Sequence, residues 1–243
     1  MVRKSLASLV MFGLALVLAL TAALPVSAQG SSPATVYVVH GIPGADLGLD
    51  PALPVDISVN GACALTAFPF GEIAGPLSLP AGSYDIAIGL ANAEAPCSSA
   101  PVLQATVPFA AGENASVVAY LNTEGAPTAG KFTNNLGHLY TSRLRVIAHH
   151  TANAPAVDIR FIRQELVEDR LSSRRLHNVS NGMQGQVDMR PGTWDIALRP
   201  GGDASQQIGP ITVELNQPNT IYMAFAVGSV ENGTFKLLLK QIQ

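Results

Sequence analysis

Short segments in which apolar and polar residues alternate fill the chain from residue 35 onward. Residues 35–39 are rich in β-branched side chains, and residues 55–59 alternate with a period of two. Residues 84–88 place Tyr84, Ile86 and Ile88 on one face of a strand. Turn-forming Gly, Pro and Asn residues separate such segments by roughly 8–12 residues, a spacing typical of β-sandwiches. The pattern therefore predicts an all-β fold with about seven short strands per sandwich.

The same pattern occurs twice. PAGSYDIAI at 80–88 returns as RPGTWDIAL at 190–198, PVDI at 54–57 returns as AVDI at 156–159, and NASVVAY at 114–120 returns as NTIYMAF at 219–225. Three matching blocks in one order indicate a duplicated domain of about 105 residues. We predict two tandem antiparallel β-sandwiches, at 35–137 and 143–243, after a polar lead-in at 29–34.

The N-terminal residues 1–28 have the features of a signal peptide. Arg3 and Lys4 precede an apolar run at 6–24, and Val26-Ser27-Ala28 supplies small residues for cleavage. An uncleaved membrane anchor is the alternative. We expect a secreted protein, extracellular or attached to a cell surface, without a membrane span in the mature chain.

Charge is divided unevenly between the copies. Residues 29–130 contain eight acidic residues and no Lys or Arg, whereas residues 131–243 contain 12 basic and 9 acidic residues. Neither half is basic enough to indicate nucleic-acid binding. The asymmetry predicts a salt-sensitive contact between an acidic face of the first copy and the second copy's Arg163, Arg170, Arg174 and Arg175, within a chain or between neighbouring chains.

The second copy carries a charged insertion. The interval between its Asp-Ile motif and its Pro-Gly turn is longer than in the first copy, and the excess lies at 163–175. This stretch contains Arg163, Arg170, Arg174 and Arg175. A solvated loop is the default interpretation, and a partner-binding loop is the functional alternative.

The chain has two cysteines, Cys63 and Cys97. Export permits a disulfide, and two cysteines leave one pairing. Two buried free thiols are the alternative. By closing a loop in the unfolded chain, a bridge would stabilise the folded protein by about 3–4 kcal/mol, according to chain-entropy estimates.

Histidine and aspartate residues recur at related positions. His40 and His149 end the first strand of each copy, and Asp56 and Asp158 begin the second strand. Each His could bond its Asp and pin the intervening loop. The alternative is ligand or metal binding, although one His and one Asp per copy are too few for a complete metal site.

Tyr84 and Trp194 are the matching aromatic residues of the repeat. Alternation places them with Ile86 and Ile196, so we expect them to fill the cores. Sugar binding on their rings is the alternative.

Short motifs carry a family resemblance. The first copy has VVH at 38–40, PGAD at 43–46, VDI at 55–57, FGE at 70–72, PAGSY at 80–84 and GEN at 112–114. The second keeps His149, APAVDI at 154–159 and PGTW at 191–194, with SNG at 180–182 in place of FGE. Together they resemble a bacterial family of exported β domains known only as domain-of-unknown-function family 4397. The resemblance implies secretion and an immunoglobulin-like sandwich, and it brings no established activity.

Familiar enzyme motifs such as G-x-S-x-G, H-E-x-x-H and phosphate or dinucleotide loops do not occur in the sequence. The leading hypothesis is a non-catalytic exported interaction or scaffold module, without a cofactor, that binds an extracellular or cell-surface protein or glycan. The second hypothesis is small-ligand or metal binding at the loops after His40 and His149. The third is a hydrolase.

Overall fold

A computed structural model describes residues 32–165, 172–201 and 203–242. The expected signal peptide, residues 1–28, and Arg170 lie outside these ranges. The regular secondary structure of the described chain is almost entirely β-strand, with two short 3-10 turns at Gly44–Leu47 and Ala204–Gln206. Within these ranges no helix is long and apolar enough to cross a membrane.

Each copy contains eight strands rather than the seven expected. Those of the first copy are β1 Ala34–His40, β2 Val55–Val59, β3 Ala62–Phe68, β4 Ile73–Leu79, β5 Gly82–Leu90, β6 Pro101–Phe109, β7 Asn114–Leu121 and β8 Pro127–Thr133. Those of the second copy are β9 Leu144–His150, β10 Val157–Arg163, β11 Ser173–Val179, β12 Met183–Met189, β13 Gly192–Pro200, β14 Ile208–Leu215, β15 Ile221–Val227 and β16 Lys236–Gln241.

The two copies share one sheet topology. In the first copy, one sheet has the order β3-β2-β5-β6 and the other β4-β1-β7-β8. The second copy repeats these orders as β11-β10-β13-β14 and β12-β9-β15-β16. The prediction of two sandwiches is therefore confirmed. Most strand pairs are antiparallel, but β1 and β7 pair in parallel, and so do β9 and β15.

Each sandwich keeps an apolar core between its own two sheets. In the second copy, Trp194, Met189 and Leu215 are fully buried in that core. In the first copy, the core consists mainly of smaller aliphatic residues such as Val36, Val55 and Val117, with aromatic residues at its periphery. Alternating side chains from both sheets form each core, as the period-two pattern requires.

A third apolar layer joins the copies. The sheet β4-β1-β7-β8 packs face to face against β12-β9-β15-β16, and both are called inner sheets below. Val118 and Tyr120 of β7 meet Phe225 and Val227 of β15 in this layer. Consequently β7, β9 and β15 are buried on both faces, which explains why β15 is apolar throughout. Residues 31–243 form one compact unit.

The expected salt-sensitive contact between an acidic face of the first copy and the inserted loop, within a chain or between neighbouring chains, stays a prediction, because Arg170 lies outside the described residues. Their salt bridges all lie within one copy, such as Lys131–Glu113 at 2.9 Å and Arg145–Asp188 at 2.7 Å. The apolar layer is rimmed by polar contacts instead. Gln184 Nε2 donates across it to the Thr133 carbonyl oxygen at 2.9 Å.

The charged insertion lengthens one hairpin. In the first copy the turn Asn60-Gly61 connects β2 directly to β3. In the second copy β10 ends at Arg163 and β11 begins at Ser173. The hairpin therefore projects beyond its counterpart and places several arginines at one end of the second sandwich.

Because Phe225 is completely buried between the inner sheets, we expect Phe225→Ala to lower the free energy of unfolding by about 3–5 kcal/mol. The same truncation at Leu239, which is 39% exposed, should cost less than about 1 kcal/mol. Urea unfolding followed by fluorescence of the single tryptophan, Trp194, measures both. Equal small effects would show that the layer between the copies contributes little.

Candidate functional site

His40 clamps the loop that follows β1. It is buried, with Nε2 lying 2.9 Å from the Leu53 carbonyl oxygen and Nδ1 accepting the Ile42 N–H at 3.3 Å. The expected bond to Asp56 is not formed. Burial lowers the His40 pKa, although the bond to Leu53 partly opposes this. A neutral imidazole that donates through Nε2 therefore holds the two ends of the 41–54 loop together.

The structural counterpart of His40 is His150, so the expected match with His149 is wrong. His150 Nε2 lies 2.9 Å from the Pro155 carbonyl oxygen, which repeats the clamp made by His40. The backbone agrees, because the carbonyl oxygens of His40 and His150 accept from equivalent glycines, Gly71 and Gly182. Two adjacent histidines in the second copy made the sequence match ambiguous.

His149 lies on the opposite face of β9, in the layer between the copies. Its ring stacks on Phe225 with centroids 4.2 Å apart and meets Phe132 edge-on at 5.1 Å. Nδ1 lies 3.3 Å from the Ala224 carbonyl oxygen. Burial lowers the His149 pKa to about 4, so the ring is neutral at physiological pH. Its position in the first copy is taken by Val39.

Asp56 and Asp158 hold β-bulges rather than histidines. One carboxylate oxygen of each accepts a backbone N–H from the paired strand, Ala67 to Asp56 and Asn178 to Asp158, both at 2.9 Å. Ala67 and Asn178 have φ of 49° and 50° where the register shifts, a left-handed conformation uncommon for Ala. The carboxylate therefore stabilises the same irregularity in both copies.

The second carboxylate oxygen distinguishes the copies. In Asp56 it accepts the N–H groups of Asn92 at 3.1 Å and Cys97 at 2.8 Å. In Asp158 it faces Nδ1 of His177 at 3.6 Å. Burial raises the Asp56 pKa, but the N–H donors outweigh that and lower the pKa overall. Asp56 thus anchors the β5–β6 loop.

The predicted disulfide is confirmed. Cys63 of β3 is bonded to Cys97 in the β5–β6 loop. Together with Asp56, the bridge fastens that loop to the neighbouring strand. The roles of His40, Asp56, His149 and Asp158 in ligand binding stay predictions. No group of three or more His, Cys, Asp or Glu side chains able to hold a metal occurs in the described part of the chain.

Arginines gather in an open cleft of about 810 Å³ at the end of the second sandwich. Arg163 and Arg174 come from the extended hairpin, and Arg143 and Arg190 come from the segments before β9 and β13. We call this the arginine cleft. Arg174 lines it, whereas Arg175, its neighbour in β11, is exposed and does not. Sequence analysis missed Arg143 and Arg190 because only the fold brings them to the hairpin.

The cleft is net positive. Its one acidic lining residue, Asp188, is held by Arg145 through contacts of 2.7 Å and 2.9 Å. Arg163 Nε lies 3.1 Å from Glu165. The positions of the first copy that match these arginines lie in the stretch 29–130, which has no Lys or Arg. The cleft therefore belongs to the second copy alone.

A family comparison identifies the chain. Residues 34–160 match the profile described as Domain of unknown function (DUF4397). The chain belongs to this family. The match ends within the second copy, so the profile does not report a second domain, although the repeated strand order shows a second copy of the fold.

Other comparisons add little about this DUF4397 protein. No curated protein matches it. A solved structure of a candidate cell adhesion protein from Bacteroides ovatus ATCC 8483 is similar at 9% identity with a TM-score of 0.26. The alignment covers 88% of this chain and 97% of the other. Likeness at this level carries no argument about function.

Asp56→Asn should lower the free energy of unfolding by about 1–3 kcal/mol, because an amide NH₂ would replace an oxygen that accepts two N–H groups. Since the folded-state pKa is lowered, the carboxylate's contribution is present above pH 3.8 and is lost as pH falls through the folded pKa. The difference in free energy of unfolding between the native and variant proteins should therefore shrink as pH falls from 3.8 through the folded pKa. Asp158→Asn is the matched control and should cost less, because its second oxygen faces only His177. Urea unfolding between pH 2 and 7 tests this, and equal losses would contradict the anchoring role.

His149→Val should flatten the pH dependence of stability. The His149 pKa is lowered from 6.5 to about 4, so the unfolded chain binds a proton first as pH falls, and the folded state loses stability between these values. The variant's stability relative to the native protein should therefore rise by up to about 1.4 kcal/mol per pH unit on acidification. If the free energy of unfolding changed with pH in the same way in both proteins, His149 would not contribute to the pH dependence of stability.

Proposed function

We propose that this protein is a non-catalytic, exported interaction module that binds an anionic extracellular partner through the arginine cleft. The observation that carries this proposal is the convergence of Arg143, Arg163, Arg174 and Arg190 on one open cleft. Guanidinium groups bind carboxylate and sulfate geometries through paired N–H donors. A sulfated or acidic glycan presents such groups at close intervals, which suits a cleft with several arginines.

The packing of the residues around the arginine cleft favours binding of an anionic ligand. Phe161 and Trp194 are buried in the core next to it, and Arg163 follows Phe161 by two residues on the same strand face. Arg163 and Arg174 are thus attached to packed strands, and Arg143 directly precedes one, which limits the ordering required on binding. The lining combines them with exposed Tyr140, which offers a ring and a hydroxyl.

The disulfide supports an exported location. Structural disulfides persist in oxidising compartments, and Cys63–Cys97 fastens a loop that Asp56 also holds. Secretion itself, and attachment to a cell surface, remain part of the proposal. The alternative at the His40 and His149 loops has less support, because the clamp uses both ring nitrogens of His40.

The test is binding of heparin oligosaccharides, compared with their desulfated forms, by calorimetry at low salt. We expect Arg174→Ala and Arg190→Ala to weaken binding about fivefold each, or about 1 kcal/mol, because the groups are partly solvated. Binding should weaken further at about 0.5 M salt, where screening shortens the range of the attraction.

Arg175→Ala is the matched control, since it removes the same charge from the adjacent residue outside the cleft. It should leave the affinity nearly unchanged. Equal losses for Arg174→Ala and Arg175→Ala would indicate general attraction to a basic domain. Equal binding of sulfated and desulfated forms, or no binding of either, would overturn the proposal.

A further inference from the structure

The first sandwich encloses an apolar cavity of about 280 Å³ between its two sheets. Side chains of Val36, Val59, Leu65, Tyr84 and Ile86 are among those that line it. Its wall is almost wholly apolar.

Three core positions of the first copy carry smaller side chains than their counterparts in the second. Residues with the same cross-strand partners can be compared between copies. Val59 occupies the position of Phe161, and Tyr84 that of Trp194. Ala115 and the buried Tyr222 form a third such pair. In the second copy the larger residues fill the corresponding volume.

The cavity opens along one edge of the first sandwich. In the second sandwich the edge strands β11 and β12 pack together, whereas their counterparts β3 and β4 barely touch. A Cβ on Gly185 would lie 3.0 Å from Cδ1 of Leu176, so this leucine closes that edge. In the first copy, β4 is bulged at Gly75-Pro76. Ala64 of β3 and Ser78 of β4 line the cavity and are exposed at the edge.

The polar groups along the wall already have partners. His40 bonds to Leu53 and Ile42, and the Tyr84 hydroxyl donates to the Pro80 carbonyl oxygen at 2.8 Å. The interior therefore offers no unpaired donor or acceptor to a ligand. No Lys or Arg lines the cavity, and β3 and β4 contain none, so the mouth offers no cation to pair with an anionic head group.

We propose that this cavity binds the single aliphatic chain of an uncharged amphiphile, with its head group at the β3–β4 edge. An apolar cavity of roughly 150 Å³ holds six-carbon benzene, so the present volume suits a chain of about ten carbons. Most of the lining side chains are aliphatic, which favours a flexible chain. This site is separate from the arginine cleft and does not depend on the function proposed for it.

The test uses 1-decanol on the full mature chain. Decanol should shift the methyl NMR signals of Val59, Leu65 and Ile86 in the native protein and displace bound Nile red. Val59→Phe and Tyr84→Trp introduce the residues of the second copy. Each should weaken decanol binding at least tenfold and raise the melting temperature, because the side chain fills the same space.

Val102→Phe is the control, since Val102 is exposed on β6 and the same substitution there should change neither quantity. Decanoate at pH 8 should bind at least tenfold more weakly than decanol. Absence of methyl shifts in the native protein would overturn the proposal. So would unchanged decanol affinity in folded Val59→Phe and Tyr84→Trp, and equal decanoate affinity would refute the uncharged head group.

Discussion

The apolar layer between the two inner sheets is the interaction on which the rest of the structure depends. An inner sheet that faced water on one side would alternate in polarity, but β7 and β15 present apolar or small side chains in both directions. Such strands are stable only when both faces are covered. The layer therefore determines the sequence of the central strands as well as the arrangement of the copies.

Polar side chains then fix the irregular backbone around this apolar frame. His40 and His150 make the same loop clamp, and Asp56 and Asp158 hold the same bulge. These residues recur in both copies because the backbone they support recurs. The copies differ at positions whose side chains do not support this shared backbone. The differences are in core volume, hairpin length and net charge. A basic cleft and an apolar cavity could thus arise on one scaffold.

The sequence was sufficient for the strands, the duplication and the disulfide, because alternation, repeated motifs and a single cysteine pair are local signals. It was insufficient for contacts between the copies. The fully apolar run of β15 indicated burial but not the partner, and His149 gave no sign that it would stack on Phe225. Arg143 and Arg190 are far from the hairpin in sequence, so only the fold could assign them to the cleft. The cavity depends on the summed size of several core residues and on a gap between two edge strands, neither of which a local pattern contains.

The layer between the copies is built from equivalent sheets. Ser116 and Met223 occupy the same position in the two copies, and Ser116 Oγ lies 3.2 Å from Sδ of Met223. Such self-complementary contact is the geometry of a two-fold homodimer. A single unfused copy would leave this face open and would associate with another like it. Joining the copies through the short segment between Thr133 and Leu144 converts that association into an intramolecular one with a high effective concentration. Gene fusion in such a pair also removes the need for symmetry, so each half can diverge without losing its partner.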